Sequence, residues 1–188
     1  MSIRSHPSSR LSPEYVLLGF LYRLPSHGYD LHKQLSDQFG SIWHASQSQI
    51  YNILNRLEAQ GYITSTFLTQ EKLPPRQILK ITDSGAERFE SWLNKPTQSS
   101  VHAIRVEFVT RLYFIQMYYP DKVQEMMRSQ IEEVNDRINQ LHQSLTNLPS
   151  DQIFNRLGLD LRIRLLGSVI SWLGEYNQVF GQRRTDGD

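Results

Sequence analysis

Between positions 47 and 57 of this sequence, uncharged polar side chains (Gln47, Ser48, Gln49, Tyr51, Asn52 and Asn55) alternate with the apolar Ile50, Ile53, Leu54 and Leu57. On a helix of 3.6 residues per turn the two sets separate: Ser48, Tyr51, Asn52 and Asn55 stand at i, i+3, i+4 and i+7 on one face, with the apolar residues opposite. A solvent-facing helix is more often laced with Glu and Lys, so an outer face without charge asks for another use. Carboxamides hold a donor and an acceptor side by side and can pair with the N6 and N7 edge of adenine. A serine hydroxyl can bond to any base edge, and a tyrosine hydroxyl can reach a phosphate. A merely polar surface is the alternative reading of the same residues. Lys33, Arg56, Lys72 and Arg76 are the cations near enough in sequence to meet the phosphates of double-stranded DNA beside such a helix.

Composition limits what else the chain could do. It has 188 residues, a formal net charge of +1 and no cysteine, which removes disulfides, thiolate metal sites and cysteine nucleophiles. Residues 1–95 hold ten Lys and Arg against eight Asp and Glu, and residues 96–188 hold ten against eleven. Any affinity for polyanions must therefore come from local placement of cations, since charge acts over a Debye length of about 8 Å. The histidines at 6, 27, 32, 44, 102 and 142 show no metal-binding spacing, and no phosphate-cradling glycine loop is present. Asp30 with His27 and His32 is the nearest approach to an acid–base cluster, and local hydrogen bonding of surface histidines explains it as well. We expect no catalysis, no metal and no cofactor. The first ten residues contain no apolar run, and the apolar stretch at 15–22 is far short of the ~20 residues of a bilayer span. A cytoplasmic protein with no membrane partner is expected.

The elements that would carry these residues are legible in outline. Ser12-Pro13 announces a first helix with Tyr15, Leu17, Leu18, Leu21 and Leu24 on one face, ended by Pro25. A second runs from Gly28 to Phe39 with Leu31, Leu35 and Phe39 four apart. Ser46 and Gln49 form the Ser-x-x-Gln box that opens a third, closed by Gly61. Residues 62–68 and 76–82 read as two strands around a loop, TQEKLPP, and Thr82-Asp83 caps a fourth helix containing Ala86, Phe89, Trp92 and Leu93. Three helices, two strands and a helix are the order of a winged helix-turn-helix, placed at 1–95 as a DNA-binding domain. The segment PTQSS at 96–100 reads as a joint.

Residues 96–188 read as entirely helical, which makes the protein mainly α. Residues 104–119 are apolar over most of the circumference, and Pro120-Asp121 breaks that helix and caps the next. Met127, Ile131, Val134, Ile138, Leu141, Leu145 and Leu148 then follow in steps of 4 and 3, a heptad seam. Leu166, Val169 and Leu173, followed by Tyr176 and Phe180, continue that rhythm in a last helix. These residues predict a coiled-coil-like dimerisation domain that makes the protein a homodimer. Trp92, Trp172 and the aromatics of 108–119 could line a slot for a small aromatic effector, or could simply be core.

Three blocks, HGYDLHKQL, SQSQIYNILNRLEAQGYI and LPPRQILKITDSGAERFESWL, resemble the signature blocks of the PadR family of bacterial transcriptional regulators, in the same order and at similar separations. The resemblance covers residues 14 to about 95. Its most specific parts are Gly28-Tyr29, the block Tyr51 to Leu57 with Arg56-Leu57-Glu58, Gly61, and Thr82 with Gly85 before Trp92-Leu93. The helical second half is similar in architecture to a virulence-activator-type C-terminal arm. The resemblance implies a homodimer on a roughly palindromic operator, with the third helix in the major groove and the wing beside it. Many members repress, and some release DNA on binding phenolic or other aromatic compounds. Two residues depart from the family pattern: Asn52 stands where a proline usually follows the tyrosine, and Leu79 stands where the second wing strand usually has a tyrosine. A winged helix that binds only other proteins is the rival reading, although Ser48, Asn52 and Asn55 make poor interface anchors.

Overall fold

The computed structural model describes residues 12–70 and 73–182. The chain forms two compact units, Met1–Asn94 and Lys95–Asp188. In the first, α1 (Glu14–Arg23), α2 (Gly28–Phe39) and α3 (Gln47–Ala59) are followed by the strands β1 (Ile63–Gln70) and β2 (Leu73–Ile81) and by α4 (Asp83–Leu93). This is a winged helix-turn-helix.

Its core forms where the apolar faces of the helices converge. Val16, Leu17, Leu18 and Leu21 of α1 meet Leu31, Leu35 and Phe39 of α2 and Ile50, Leu54 and Leu57 of α3, all at most 2% exposed. Phe89 and Leu93 of α4, with Ile63 and Leu79 of the strands, complete it. Helix α1 opens one residue later than Ser12 suggested: Pro13 holds the cap position and the Ser12 hydroxyl accepts from the Glu14 N–H at 3.4 Å. Proline has no N–H to cap, so Glu14 supplies the first free donor. Gly61, with φ +75°, turns the chain out of α3 into β1 through a left-handed conformation that a side chain would disfavour.

The wing is longer than the sequence suggested. Both strands extend into the segment read as a loop, so that Gln70 pairs with Leu73. The register shifts between Leu68 and Gln70, and the pairing passes from Leu68↔Arg76 to Gln70↔Leu73 without using Pro74 or Pro75. In a two-stranded ribbon each strand has an open edge, and an irregularity there accommodates prolines that a central strand would reject. A single bridge, Ser26 with Leu79, adds two backbone hydrogen bonds of 3.0 and 2.9 Å and ties the wing to the chain just before α2.

In the second unit, α5 (Val101–Ala103) passes through a π-helical turn at Ile104–Phe108 into α6 (Val109–Tyr118). A 3₁₀ turn, Pro120–Lys122, then leads to α7 (Val123–Asn147), and α8 (Ile153–Gln182) follows. Asp121 therefore lies in the 3₁₀ turn and does not cap α7, whose cap position is Lys122. The segment read as a joint is stitched into this unit. Thr97 is 2% exposed, its hydroxyl receives Arg111 Nη1 at 2.9 Å, and its carbonyl receives Gln130 Nε2 at 3.3 Å. Arg111, itself buried, also binds the Lys95 carbonyl and Glu107.

Helices α7 and α8 form an antiparallel hairpin. Gln124 at the start of α7 donates to the Asn177 carbonyl near the end of α8 (3.1 Å), while Arg156 at the start of α8 donates to the Leu145 and Leu148 carbonyls (3.1 and 3.0 Å). This changes the reading of the heptad seam. Met127, Val134 and Leu141 of α7 and Leu166 and Leu173 of α8 are at most 3% exposed within one chain, so the 3–4 rhythm is satisfied by the chain's own hairpin. Ile131, Ile138, Leu145 and Val169 lie half-buried at its margins. Among the described residues no helix is long and apolar enough to cross a membrane.

Candidate nucleic-acid interface

Helix α3 presents its two faces as differently as its sequence does. Ile50, Leu54 and Leu57 are at most 2% exposed, whereas Gln47, Ser48, Tyr51, Asn52 and Asn55 are all exposed, Tyr51 at 38%. The helix start is fixed by reciprocal bonds: the Ser46 hydroxyl accepts from the Gln49 N–H at 3.3 Å, and Gln49 Oε1 accepts from the Ser46 N–H at 2.8 Å. Gln49 thus engages its Oε1 in the cap, while its amide N–H groups and the second lone pair of that oxygen stay at the exposed surface. The amides of Gln47, Asn52 and Asn55 and the hydroxyls of Ser48 and Tyr51 are the other outward polar groups of α3.

The cations are placed less uniformly. Lys33 is exposed on α2. Arg56, by contrast, is paired through Nη2 with Glu14 Oε2 at 2.8 Å, so its charge is partly neutralised although half its side chain is exposed. The other Glu14 oxygen binds Arg88 at 2.5 Å. Arg88 also lies over the Tyr62 ring, 4.5 Å from its centroid. Burial works against the Arg88 charge, but the hydrogen bond to Glu14 and the surrounding negative groups outweigh it and hold the guanidinium pKa above its ordinary value. Arg76 lies on β2 opposite Leu68, and Lys72 lies outside the described residues.

Beside Tyr51 an open depression of about 500 Å³ is bordered by His27, Tyr29, Asp30 and Gln77. His27 Nδ1 lies 2.7 Å from the Gln77 carbonyl and His32 Nε2 lies 3.2 Å from the Ala45 carbonyl, so both histidines are engaged with backbone. No group of three or more His, Asp or Glu suited to a metal occurs among the described residues. Trp92 is 7% exposed and its ring is stacked on Tyr15 at 4.8 Å with an interplanar angle of 6°, which makes it part of the winged-helix core. Trp172, half-buried, contacts Tyr176 one turn along α8 at 5.1 Å.

One surface escaped the sequence reading. On α8, Phe154 (84% exposed), Leu157 (57%), Leu161 (58%) and Leu165 (44%) share a face distinct from that of Leu166 and Leu173, and Tyr176 and Val179 extend it. The spacing of 154, 157, 161 and 165 was itself a readable signal, a second apolar stripe on one helix.

Residues 17–91 match the Transcriptional regulator PadR-like family, and residues 104–180 match the Virulence activator alpha C-term family. The chain is 27% identical over 135 residues to the negative transcriptional regulator PadR of Bacillus subtilis, spanning 72% of this chain and 74% of that protein. It is 28% identical over 82 residues to a probable transcriptional regulator of Mycobacterium tuberculosis, spanning 44% of this chain and 43% of that one. Among solved structures it resembles Bacillus subtilis PadR in complex with operator DNA, with 24% identity, coverage of 89% of this chain and 98% of that one, and a TM-score of 0.43. It also resembles the PadR-like regulator BC1756 of Bacillus cereus, with 22% identity, coverage of 94% and 99%, and a TM-score of 0.44. The winged helix carrying an uncharged outward α3 coincides with the segment that matches the PadR-like family of transcriptional regulators, and the helical second unit coincides with the segment that matches the virulence-activator C-terminal family.

Proposed function

We propose that this protein is a homodimeric repressor that binds a roughly palindromic DNA site through α3. The observation that carries the reading is the outward face of α3, where Gln47, Ser48, Tyr51, Asn52 and Asn55 are exposed while the opposite face is core. Asn52 and Asn55 offer paired contacts to adenine edges, Gln47 and Ser48 flank them, and Tyr51 reaches backbone phosphate. Lys33, Lys72 and Arg76 supply sequence-independent phosphate contacts, and Arg56 supplies one only if it leaves Glu14. The domain roles follow: residues 1–95 bind DNA and residues 96–188 pair the chains.

Pairing uses the α8 stripe. Phe154, Leu157, Leu161 and Leu165 expose a contiguous apolar surface of a kind that single chains seldom leave in water, and a helix face meets its own copy readily across a twofold axis. Repression is supported by the relative named as a negative regulator. Trp92, packed against Tyr15, is taken out of any slot for a small aromatic effector, and half-buried Trp172 stays as the candidate for one.

The test is affinity selection from fragmented genomic DNA with the full chain, followed by transcription in vitro from a promoter carrying the enriched site. Enrichment of a shared inverted repeat and reduced transcript are expected. Retention of no common sequence would refute DNA reading, and increased transcript would refute repression.

A further inference from the structure

The geometry points to Gly28 as the residue that positions Tyr51 for contact with DNA: the side chain missing at the start of α2 is the seat of the Tyr51 ring. This rests on the reading of the outward α3 face as the DNA-contacting surface.

Gly28 is the first residue of α2 and is buried. A Cβ placed on it would lie 2.8 Å from Tyr51 Cε1, 3.1 Å from Cζ and 3.3 Å from the hydroxyl oxygen. Carbon atoms in contact ordinarily sit ~3.5–4.0 Å apart, so a methyl group at this position would push the far end of the Tyr51 side chain out of its place. Backbone conformation does not account for the glycine, since Gly61 alone has positive φ among the described residues. Alanine is also the better helix former. Space for Tyr51 is the remaining reason.

The seat itself is anchored. His27 Nδ1 meets the Gln77 carbonyl at 2.7 Å, and Ser26 is bridged to Leu79, so the start of α2 is held against β2. The Tyr51 ring lies against Gly28 at that corner, and both residues line the depression together with His27, Tyr29, Asp30 and Gln77. A side chain already ordered before binding loses less freedom on contact, and a fixed hydroxyl selects one phosphate position and with it the register of α3 on the duplex.

The test is a double-mutant cycle on the full chain, Gly28→Ala, Tyr51→Ala and both together. Affinity is read on the duplex enriched from genomic fragments and on a duplex of random sequence, with thermal melting in parallel. The expected result is a folded Gly28→Ala protein that loses about tenfold or more on the enriched site, as Tyr51→Ala does, with no further loss in the double variant. Wild-type affinity in Gly28→Ala beside a weakened Tyr51→Ala would overturn the proposal, as would additive losses. Wild-type affinity in Tyr51→Ala would instead overturn the reading of Tyr51 as a DNA contact. If Gly28→Ala melts early, recovery of the melting temperature in the double variant traces the collision to Tyr51 and supports the proposal. An equally unstable double variant overturns it.

Discussion

Glu14 in the first turn of α1 holds Arg56 in the last turn of α3 at 2.8 Å, and with its second oxygen it holds Arg88 of α4. A carboxylate whose side chain is 12% exposed thus joins three helices of the winged unit. Removing the shared anion leaves two neighbouring guanidinium groups without their common partner, whereas removing Arg56, half-exposed, leaves Glu14 still paired with Arg88. Glu14→Gln should therefore lower stability by about 1–3 kcal/mol and Arg56→Ala by about 1 kcal/mol or less, read from urea denaturation midpoints. The reverse ranking would show that Arg56, not Glu14, is the centre of the cluster.

The reciprocal bonds of Ser46 and Gln49 fix where α3 begins, and so the rotation of its outward face. Ser46→Ala should cost about 1 kcal/mol of stability in the same denaturation experiment. Ser46→Asp, which keeps an acceptor at the cap, should recover most of it. Failure of the aspartate to recover stability would mean that the serine acts through something other than capping.

The two faces of α8 should respond oppositely. Leu173, fully buried on the inner face of α8, should cost about 2–5 kcal/mol when changed to Ala because the cavity cannot close completely. Leu161→Asp, at a position 58% exposed, should leave the melting of the isolated chain nearly unchanged and convert dimers to monomers in sedimentation equilibrium. Dimers that persist with Leu161→Asp would place the pairing surface elsewhere.

Much of this was readable before any coordinates. The Ser46–Gln49 box, the 3.6-residue rhythm of Ile50, Leu54 and Leu57 and the four-residue spacing of Leu31, Leu35 and Phe39 are local patterns that determine local structure, and α2 and α3 have the expected bounds. What was not readable depends on partners distant in sequence. The bridge between Ser26 and Leu79 is one residue wide and has no periodicity to detect. The pairing of Glu14 with Arg56 spans 42 residues, and nothing in either neighbourhood marks it. The heptad positions of α7 were found, but a seam identifies an apolar stripe without naming the helix that covers it. In this case the cover is α8 of the same chain, so the free stripe on α8 went unassigned. The wing was underestimated because Pro74 and Pro75 normally end strands, and the register shift that accommodates them has no sequence signal of its own.

The charges near α3 predict a division between affinity and specificity. Lys33→Ala should weaken binding to enriched and random duplexes alike and flatten the dependence of affinity on salt by about one counterion. Asn52→Ala should cost about 1–3 kcal/mol on the enriched duplex and little on the random one. Fluorescence anisotropy at two or more salt concentrations separates the two behaviours. Equal losses on both duplexes from Asn52→Ala would make it a backbone contact.

The central claim is that the exposed face of α3 reads bases, and selection from random duplexes with wild-type and Asn55→Ala proteins side by side tests it most directly. The account predicts an inverted repeat from the wild-type chain and, from Asn55→Ala, the same repeat with base preference lost at one symmetric position in each half. Identical motifs from the two proteins, or no motif from either, would contradict it.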